Sequence, residues 1–226
     1  MNDYFLNLNS TNNTKLIKEM YQYAKANDVP IISDEGLIYL LQLIRLTNAK
    51  KILEVGTAIG YSAIQMASIS KDIHIDTIER DIDSYNIAIS NINKAKLNDN
   101  IHVVLKDGLE VTKMDLMGIA SYEYDLIFID AAKAQYKNFF NLFTPYLKKG
   151  GIVVCDNLLF HGLVGLSAEE KEKNITTKNL KGLVRKIEEF NDWLSKQKGY
   201  KTDFLKIGDG MSVSTKLWAK KYASLY

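Results

Sequence analysis

The apolar positions change period along this chain, and each change marks an element. Leu16, Ile17, Met20, Tyr21 and Ala24 recur at helical spacing, which predicts a first helix with one apolar face. Pro30 closes that unit, because the residue before a proline is driven out of the helical region. Leu37, Leu40, Leu41 and Ile44 form the face of a second helix. The pattern then shortens. Lys51–Val55 is a compact apolar run stopped by Gly56, and similar runs follow at 73–78, 101–105, 124–129 and 151–155. Helical patterns separate them: one begins near Tyr61, one carries Ile82, Tyr85, Ile89 and Ile92, and one spans 134–147. Short strands alternating with helices imply parallel pairing through crossovers. Near-continuous apolar runs such as Ile152 to Cys155 fit a sheet covered on both faces.

Beyond Asp156 the pattern predicts a loop to about Ser167, then a long amphipathic helix through Leu180, Leu183, Val184, Ile187, Phe190 and Leu194. Two further strand-like runs, 204–207 and 211–215, flank Gly208-Asp209-Gly210, a turn that reads as a hairpin. The expectation is an α/β fold with a Rossmann-like sheet of seven strands, mostly parallel and closed by a C-terminal antiparallel hairpin.

With 226 residues, 46% hydrophobic and 25% charged, the chain suits one globular domain. The expected domain covers 1–216, its first 30 residues forming a helical extension, and 217–226, with Lys220 and Lys221, form a tail without a core role. A single cysteine excludes a disulfide framework and a cysteine-rich metal site, and it fits a reducing, cytoplasmic setting. No stretch of about 18 apolar residues exists, so no membrane span is expected. Residues 1–11 carry Asp3, no basic residue and too short an apolar stretch for a secretory leader. The net charge of +2 does not by itself announce a nucleic-acid partner.

In open α/β sheets ligands gather at the carboxyl ends of the strands, near the point where strand order reverses. After the first strand stands Glu54-Val55-Gly56-Thr57-Ala58-Ile59-Gly60-Tyr61-Ser62. Gly56 and Gly60 allow close backbone approach, and Ser62 can donate a hydrogen bond. The spacing differs from the G-x-G-x-x-G of dinucleotide enzymes, which weighs against NAD. Glu79 follows the second strand, 23 residues beyond Gly56, where an acid can accept hydrogen bonds from ribose hydroxyls. Asp107-Gly108 follows the third and is a candidate for an adenine amino group or an ordinary turn. Asp130 and Lys133 follow the fourth strand, Asp156 and Asn157 the fifth. Two carboxylates and an amide oxygen make a hard site suited to Mg²⁺. Lys133 is the candidate base. His74, His102 and Cys155 fall within strands and read as structural, and His161 lies in the following loop.

Taken together, LEVGTAIGYSA, TIER, FIDAAKAQY, VVCDN and GDGMSVS resemble the divalent-cation-dependent O-methyltransferases of the catechol and caffeoyl-CoA type, over about residues 30–216. The resemblance implies S-adenosylmethionine (SAM) as cofactor, Mg²⁺ or another divalent cation, and a seven-stranded methyltransferase sheet. It assigns Asp130, Asp156 and Asn157 to the metal, and Lys133 with Asp130 to catalysis. Ile32, Glu54, Gly56, Ser62, Glu79, Asp107, Gly108 and Asp130 fall to the cofactor. Within the family, VPI near residue 30, GTAIGYSAI, FIDAAK, DNLLFHGLV and GDG are similar to bacterial tRNA 5-hydroxyuridine methyltransferases, which make 5-methoxyuridine at the wobble position. The implied partner is tRNA, met by Lys173, Lys178, Lys181, Arg185 and Lys186, a run without an acid. The alternative acceptor is a small catechol-like molecule. The resemblance also implies a homodimer, for which the N-terminal helix with Tyr21 and Tyr23 is a candidate interface, packing into the core being the equal alternative, and gives 217–226 no role.

Overall fold

The computed structural model describes Tyr4, Leu8, Asn9 and residues 14–116 and 123–218. Most of the expected tail, including Lys220 and Lys221, lies outside the described residues. Two helices, α1 (Lys15–Ala26) and α2 (Asp34–Thr47), precede a sheet built from β1 (Lys51–Val55), β2 (His74–Glu79), β3 (Ile101–Leu105), β4 (Tyr124–Ile129), β5 (Leu147–Cys155), β6 (Tyr200–Leu205) and β7 (Met211–Lys216). The intervening helices are α3 (Tyr61–Ala67), α4 (Ile82–Ala95), α5 (Tyr136–Phe143), α6 (Ala168–Asn174) and α7 (Lys178–Ser195). The strand order is β3-β2-β1-β4-β5-β7-β6. The first five strands pair in parallel, and β7 inserts antiparallel between β5 and β6.

The central strands bury both faces, and their side chains alternate between two cores. Leu126 and Phe128 face the core formed with α1 to α4, while Ile127 and Ile129 face the core formed with α5 and α7. This alternation follows from the pleat, and it explains why these strands read as unbroken apolar runs. The N-terminal helix is part of the first core: Ile17, Met20 and Ala24 are buried in it. Tyr21 packs its ring 6.4 Å from that of Tyr61, while Tyr23 is exposed. Among the described residues no helix is long and apolar enough to cross a membrane.

Several boundaries differ from the sequence expectation. The segment 134–147 is not one helix: a 3₁₀ turn at Lys133–Gln135 leads into α5, and a second at Thr144–Tyr146 ends it. Pro145 lies inside that second turn, and the chain enters β5 directly at Leu147. β5 therefore starts four residues before 151, with a register shift against β4 near Gly150, whose φ is 77°. The Asp125 carboxylate bridges this corner by accepting the backbone N–H groups of Lys50 and Lys51 at 2.7 and 2.8 Å. Strand β6 runs 200–205 rather than 204–207, its alternating polar residues being those of an exposed edge. Helix α6 was not expected, although Ser167 and Glu170 form a capping box at its start.

One buried polar chain ties β1, β2 and α3 together. The Glu54 carboxylate is fully buried and accepts hydrogen bonds from the hydroxyls of Ser62 and Thr77, each at 2.5 Å. Burial pushes its pKa up to about 7, against the lowering effect of those two hydroxyls. The native state therefore holds this proton more tightly than the unfolded chain does. The associated stability is present at acid pH and is lost as pH rises through about 7. Glu54→Gln removes that dependence. In denaturant unfolding, the stability difference between variant and wild type should move in favour of the variant by about 3 kcal/mol between pH 4.5 and pH 8. Parallel profiles would exclude this origin.

Gly56, just past the end of β1, lies hard against the end of β4. It has a φ of 106°, and a Cβ there would overlap the Asp130 carbonyl oxygen. Gly60 also has a positive φ, of 83°, but a Cβ there meets only Ala88 at 3.5 Å. Gly60→Ala should cost about 1 kcal/mol from backbone conformation alone. Gly56→Ala should cost upwards of about 3 kcal/mol, both variants being compared with wild type by denaturant unfolding, because β1 and β4 must separate.

Candidate functional site

The order of the sheet reverses between β1 and β4, and a cavity of about 680 Å³ opens there along the carboxyl ends of the strands. The segments that follow β1 to β5 supply most of its lining, so the fold itself brings their first residues together.

The β1–α3 turn supplies Gly56, Thr57, Ala58 and Ser62 to the lining. The N–H of Ala58 donates to Glu79 Oε2 at 2.8 Å, while Arg80 and Asp81 donate their N–H groups to Glu79 Oε1 at 2.9 Å. Three backbone donors thus hold the Glu79 carboxylate at the cavity wall, with lone pairs left to accept from a ligand. Asp107 Oδ1 accepts from Leu109 N at 2.9 Å, closing the turn after β3, and its other oxygen stands 4.0 Å from the Arg80 guanidinium. Gly108 lies against Phe139, whose ring would be 2.9 Å from an added Cβ. Ile32 closes the opposite wall. Glu54 differs from its expected role as a cofactor contact: it lies beneath the cavity, outside the lining, and acts on it through Ser62.

At the other end, Asp130, Lys133 and Asn157 line the cavity, and Lys133 Nζ stands 2.8 Å from Asp130 Oδ1. Asp156 is completely buried behind them. Its Oδ1 accepts the N–H of Asn157 at 2.7 Å, and its Oδ2 is buried with no hydrogen-bond partner among the described residues. Burial, reinforced by the nearby Asp130 charge, pushes the Asp156 pKa up to about 7. Asp76 provides the contrast: also buried, it accepts from Tyr124 Oη at 2.6 Å and meets His102 Nδ1 at 2.9 Å. His102 therefore belongs to a structural network. His74 lies at the exposed start of β2, and Cys155 is buried, its thiol pushed up to about 12 by that burial.

An unpartnered carboxylate oxygen beside a second carboxylate and an amide is what a divalent cation requires of its ligands. Asp130, Asp156 and Asn157 fit that group. Among the described residues no cluster of three or more His, Cys, Asp or Glu side chains forms a metal site, and this candidate set is instead two aspartates and an asparagine.

Sequence reasoning missed several contributors. Tyr136 is buried and donates its hydroxyl to the Asp156 carbonyl at 2.9 Å, an inward turn of α5 hidden by an ordinary aromatic pattern. Phe160, Gln135 and Asp209 also line the cavity. Asp209 was legible only as the centre of a hairpin turn. His161 reaches the cavity mouth with a largely exposed ring.

The sequence profile of the O-methyltransferase family matches residues 8–217. The chain is 30% identical over 197 residues to a caffeoyl-CoA O-methyltransferase of Populus kitakamiensis, a match covering 87% of this chain and 82% of that protein. A Staphylococcus aureus protein, provisionally named a caffeoyl-CoA O-methyltransferase, has a similar crystal structure: TM-score 0.84 and 40% identity over 95% of this chain and 98% of the other. An O-methyltransferase from Bacillus cereus, solved in complex with S-adenosylhomocysteine (SAH), shares the fold at TM-score 0.74 and 24% identity, over 95% and 96% of the two chains. The fold, the turn after β1 and a profile match over nearly the whole chain lead to one conclusion: this chain belongs to the O-methyltransferase family.

Proposed function

We propose that this chain is a SAM-dependent O-methyltransferase that uses a divalent cation and methylates 5-hydroxyuridine in tRNA to 5-methoxyuridine. The observation that carries the reading is a single cavity joining Glu79 and Asp107 at one end to Asp130, Lys133 and Asn157 at the other, with the unpartnered oxygen of Asp156 behind. The SAH-bound B. cereus relative supports the cofactor.

In this reading Glu79 accepts hydrogen bonds from the ribose hydroxyls and Asp107 faces the adenine. Gly56 keeps the wall between them free of a side chain. When bound, SAM supplies an electrophilic methyl group on sulfur. Asp130, Asp156 and Asn157 hold the cation, whose contribution is Lewis acidity toward the acceptor oxygen. Lys133, held beside Asp130, would in its neutral form take the proton from that oxygen. The carbon–sulfur bond breaks as the carbon–oxygen bond forms, and SAH and a methoxy group result. Much of the rate gain comes from holding both partners in line. A 5-hydroxyuracil offers its 5-oxygen and 4-carbonyl as an adjacent oxygen pair, as a catechol offers two hydroxyls.

A basic surface beside the cavity supports the tRNA acceptor. Lys178, Lys181, Arg185 and Lys186 are exposed on the first half of α7, and α7 packs on the 3₁₀ turn that begins with Lys133. The first turn of α7 has no acid, and Lys178 stands at its N-terminus. A cation there opposes the helix dipole, a small cost to the isolated helix that favours an anionic partner. A second reading, a small catechol-like acceptor, is favoured by the caffeoyl-CoA relatives.

The cation and the acceptor are tested separately. Excess chelator should abolish methyl transfer, and Asp156→Ala should lower it by at least about 100-fold, the upper end of what losing a ligand's supporting partner costs. The metal-free variant should melt no lower than metal-free wild type, because the substitution removes a buried carboxylate that keeps one oxygen without a partner. Full activity in chelator would remove the cation from the reading. For the acceptor, nucleoside mass spectrometry of tRNA from a strain lacking the gene should show 5-hydroxyuridine in place of 5-methoxyuridine. Lys181→Glu with Arg185→Glu should weaken tRNA binding and flatten its logarithmic salt dependence by about one unit per lost phosphate contact, with SAM affinity unchanged. Unaltered tRNA in the deletion strain, with efficient methylation of a free catechol, would establish the small acceptor instead.

A further inference from the structure

The chain leaves β5 through Asp156 and Asn157 into a loop whose backbone is strained. Asn157, Phe160 and His161 are non-glycine residues with φ of 59°, 46° and 58°. Left-handed conformations cost such residues on the order of 1 kcal/mol each and persist only where surrounding contacts impose them. Phe160 and His161 are consecutive, so the restraint must act locally.

The restraint is the turn of the terminal hairpin. Leu158 N donates to the Gly210 carbonyl at 2.9 Å, and Leu159 N to the Asp209 carbonyl at 2.8 Å. His161 N donates to Asp209 Oδ1 at 2.7 Å. The turn is itself wedged in place: a Cβ at Gly208 would overlap Ser33 Oγ, and one at Gly210 would lie 2.6 Å from Leu159 Cγ. The second oxygen, Asp209 Oδ2, is buried without a hydrogen-bond partner among the described residues, and His161 Nδ1 at 3.8 Å lies beyond hydrogen-bond reach. Only the N–H of His161 therefore engages this carboxylate among the hydrogen bonds described, and it does so at the strained position.

We propose that Asp209 is a positioning residue for the metal side of the site. Its carboxylate and carbonyl clamp residues 159–161 and so fix the left-handed Asn157 from which that segment departs. The inference rests on the reading of Asp130, Asp156 and Asn157 as cation ligands. It assigns a role in the site to a residue more than fifty positions beyond Asp156, on the opposite end of the chain from the SAM-side turn.

Two conservative variants separate geometry from charge. Asp209→Asn keeps an oxygen where Oδ1 stands and removes the charge. Asp209→Glu keeps the charge and displaces the oxygen by one methylene. Titration calorimetry with Mg²⁺ alone should show Asp209→Glu binding about tenfold more weakly than wild type, and Asp209→Asn losing less. Adding Phe160→Gly and His161→Gly to Asp209→Glu should recover part of the loss, since glycine occupies the left-handed region without strain. SAM affinity, measured in parallel, should stay within about twofold of wild type. Wild-type Mg²⁺ affinity in Asp209→Glu would overturn the clamp. A larger loss in Asp209→Asn than in Asp209→Glu would show that charge rather than position matters, and would overturn it too. If wild type takes up no Mg²⁺, the cation reading fails first and this inference falls with it.

Discussion

The site depends on how closely β1 and β4 approach where the strand order reverses. Gly56 turns away from β1 directly against the Asp130 carbonyl, with no room for a Cβ. Asp130 N in turn donates to the Val55 carbonyl at 3.0 Å, so the last hydrogen bond of this strand pair lies at the cavity floor. That contact sets the separation between the turn that leads to Glu79 and the strand end that carries Asp130 and Lys133. A bulkier junction would part the two halves of the cavity even if every polar residue remained.

Three buried carboxylates show how the structure treats charge differently by purpose. Asp76 is met by a phenol and an imidazole across the sheet. Glu54 is met by two hydroxyls that tie α3 to β1 and β2. Asp156 keeps one oxygen without any such partner. Folding gains nothing from that omission, because an unmet buried acceptor carries a desolvation penalty. Among these three the penalty falls on the carboxylate beside Asp130 and Asn157, so burial alone does not distinguish it and satisfaction does.

Much of the architecture was legible in the apolar pattern, because β1 to β5 are covered on both faces and hydrophobicity alone outlines them. The edge was harder to read. In β6 the sequence Tyr200-Lys201-Thr202-Asp203 alternates in exposure, and its polar residues concealed four positions of strand. The helix expected over 134–147 gave way to a 3₁₀ turn at each end, the second holding Pro145, and periodicity does not register either turn. The residues after each parallel strand were legible as site candidates because topology sends strand ends to one place. Glu54 was read one layer too shallow, since β1 is buried on both faces to its end and a polar residue there need not reach the cavity. Asp209 was missed because its connection to the loop at 158–161 is made through space, by hydrogen bonds between segments separated by some fifty residues.

The insertion of β7 between β5 and β6 has a consequence for the order in which the molecule is completed. During synthesis the parallel strands β1 to β5 emerge first, and β5 then presents an open edge. In the loop that leaves β5, Leu158 and Leu159 find their backbone acceptors on Gly210 and Asp209, which are made near the end of the chain. A nascent chain can therefore assemble the half of its cavity lined by Gly56, Glu79 and Asp107 well before the half that Asn157, Phe160 and Asp209 complete. Closure of the last hairpin is at once the covering of an exposed sheet edge and the moment the second half of the pocket takes shape.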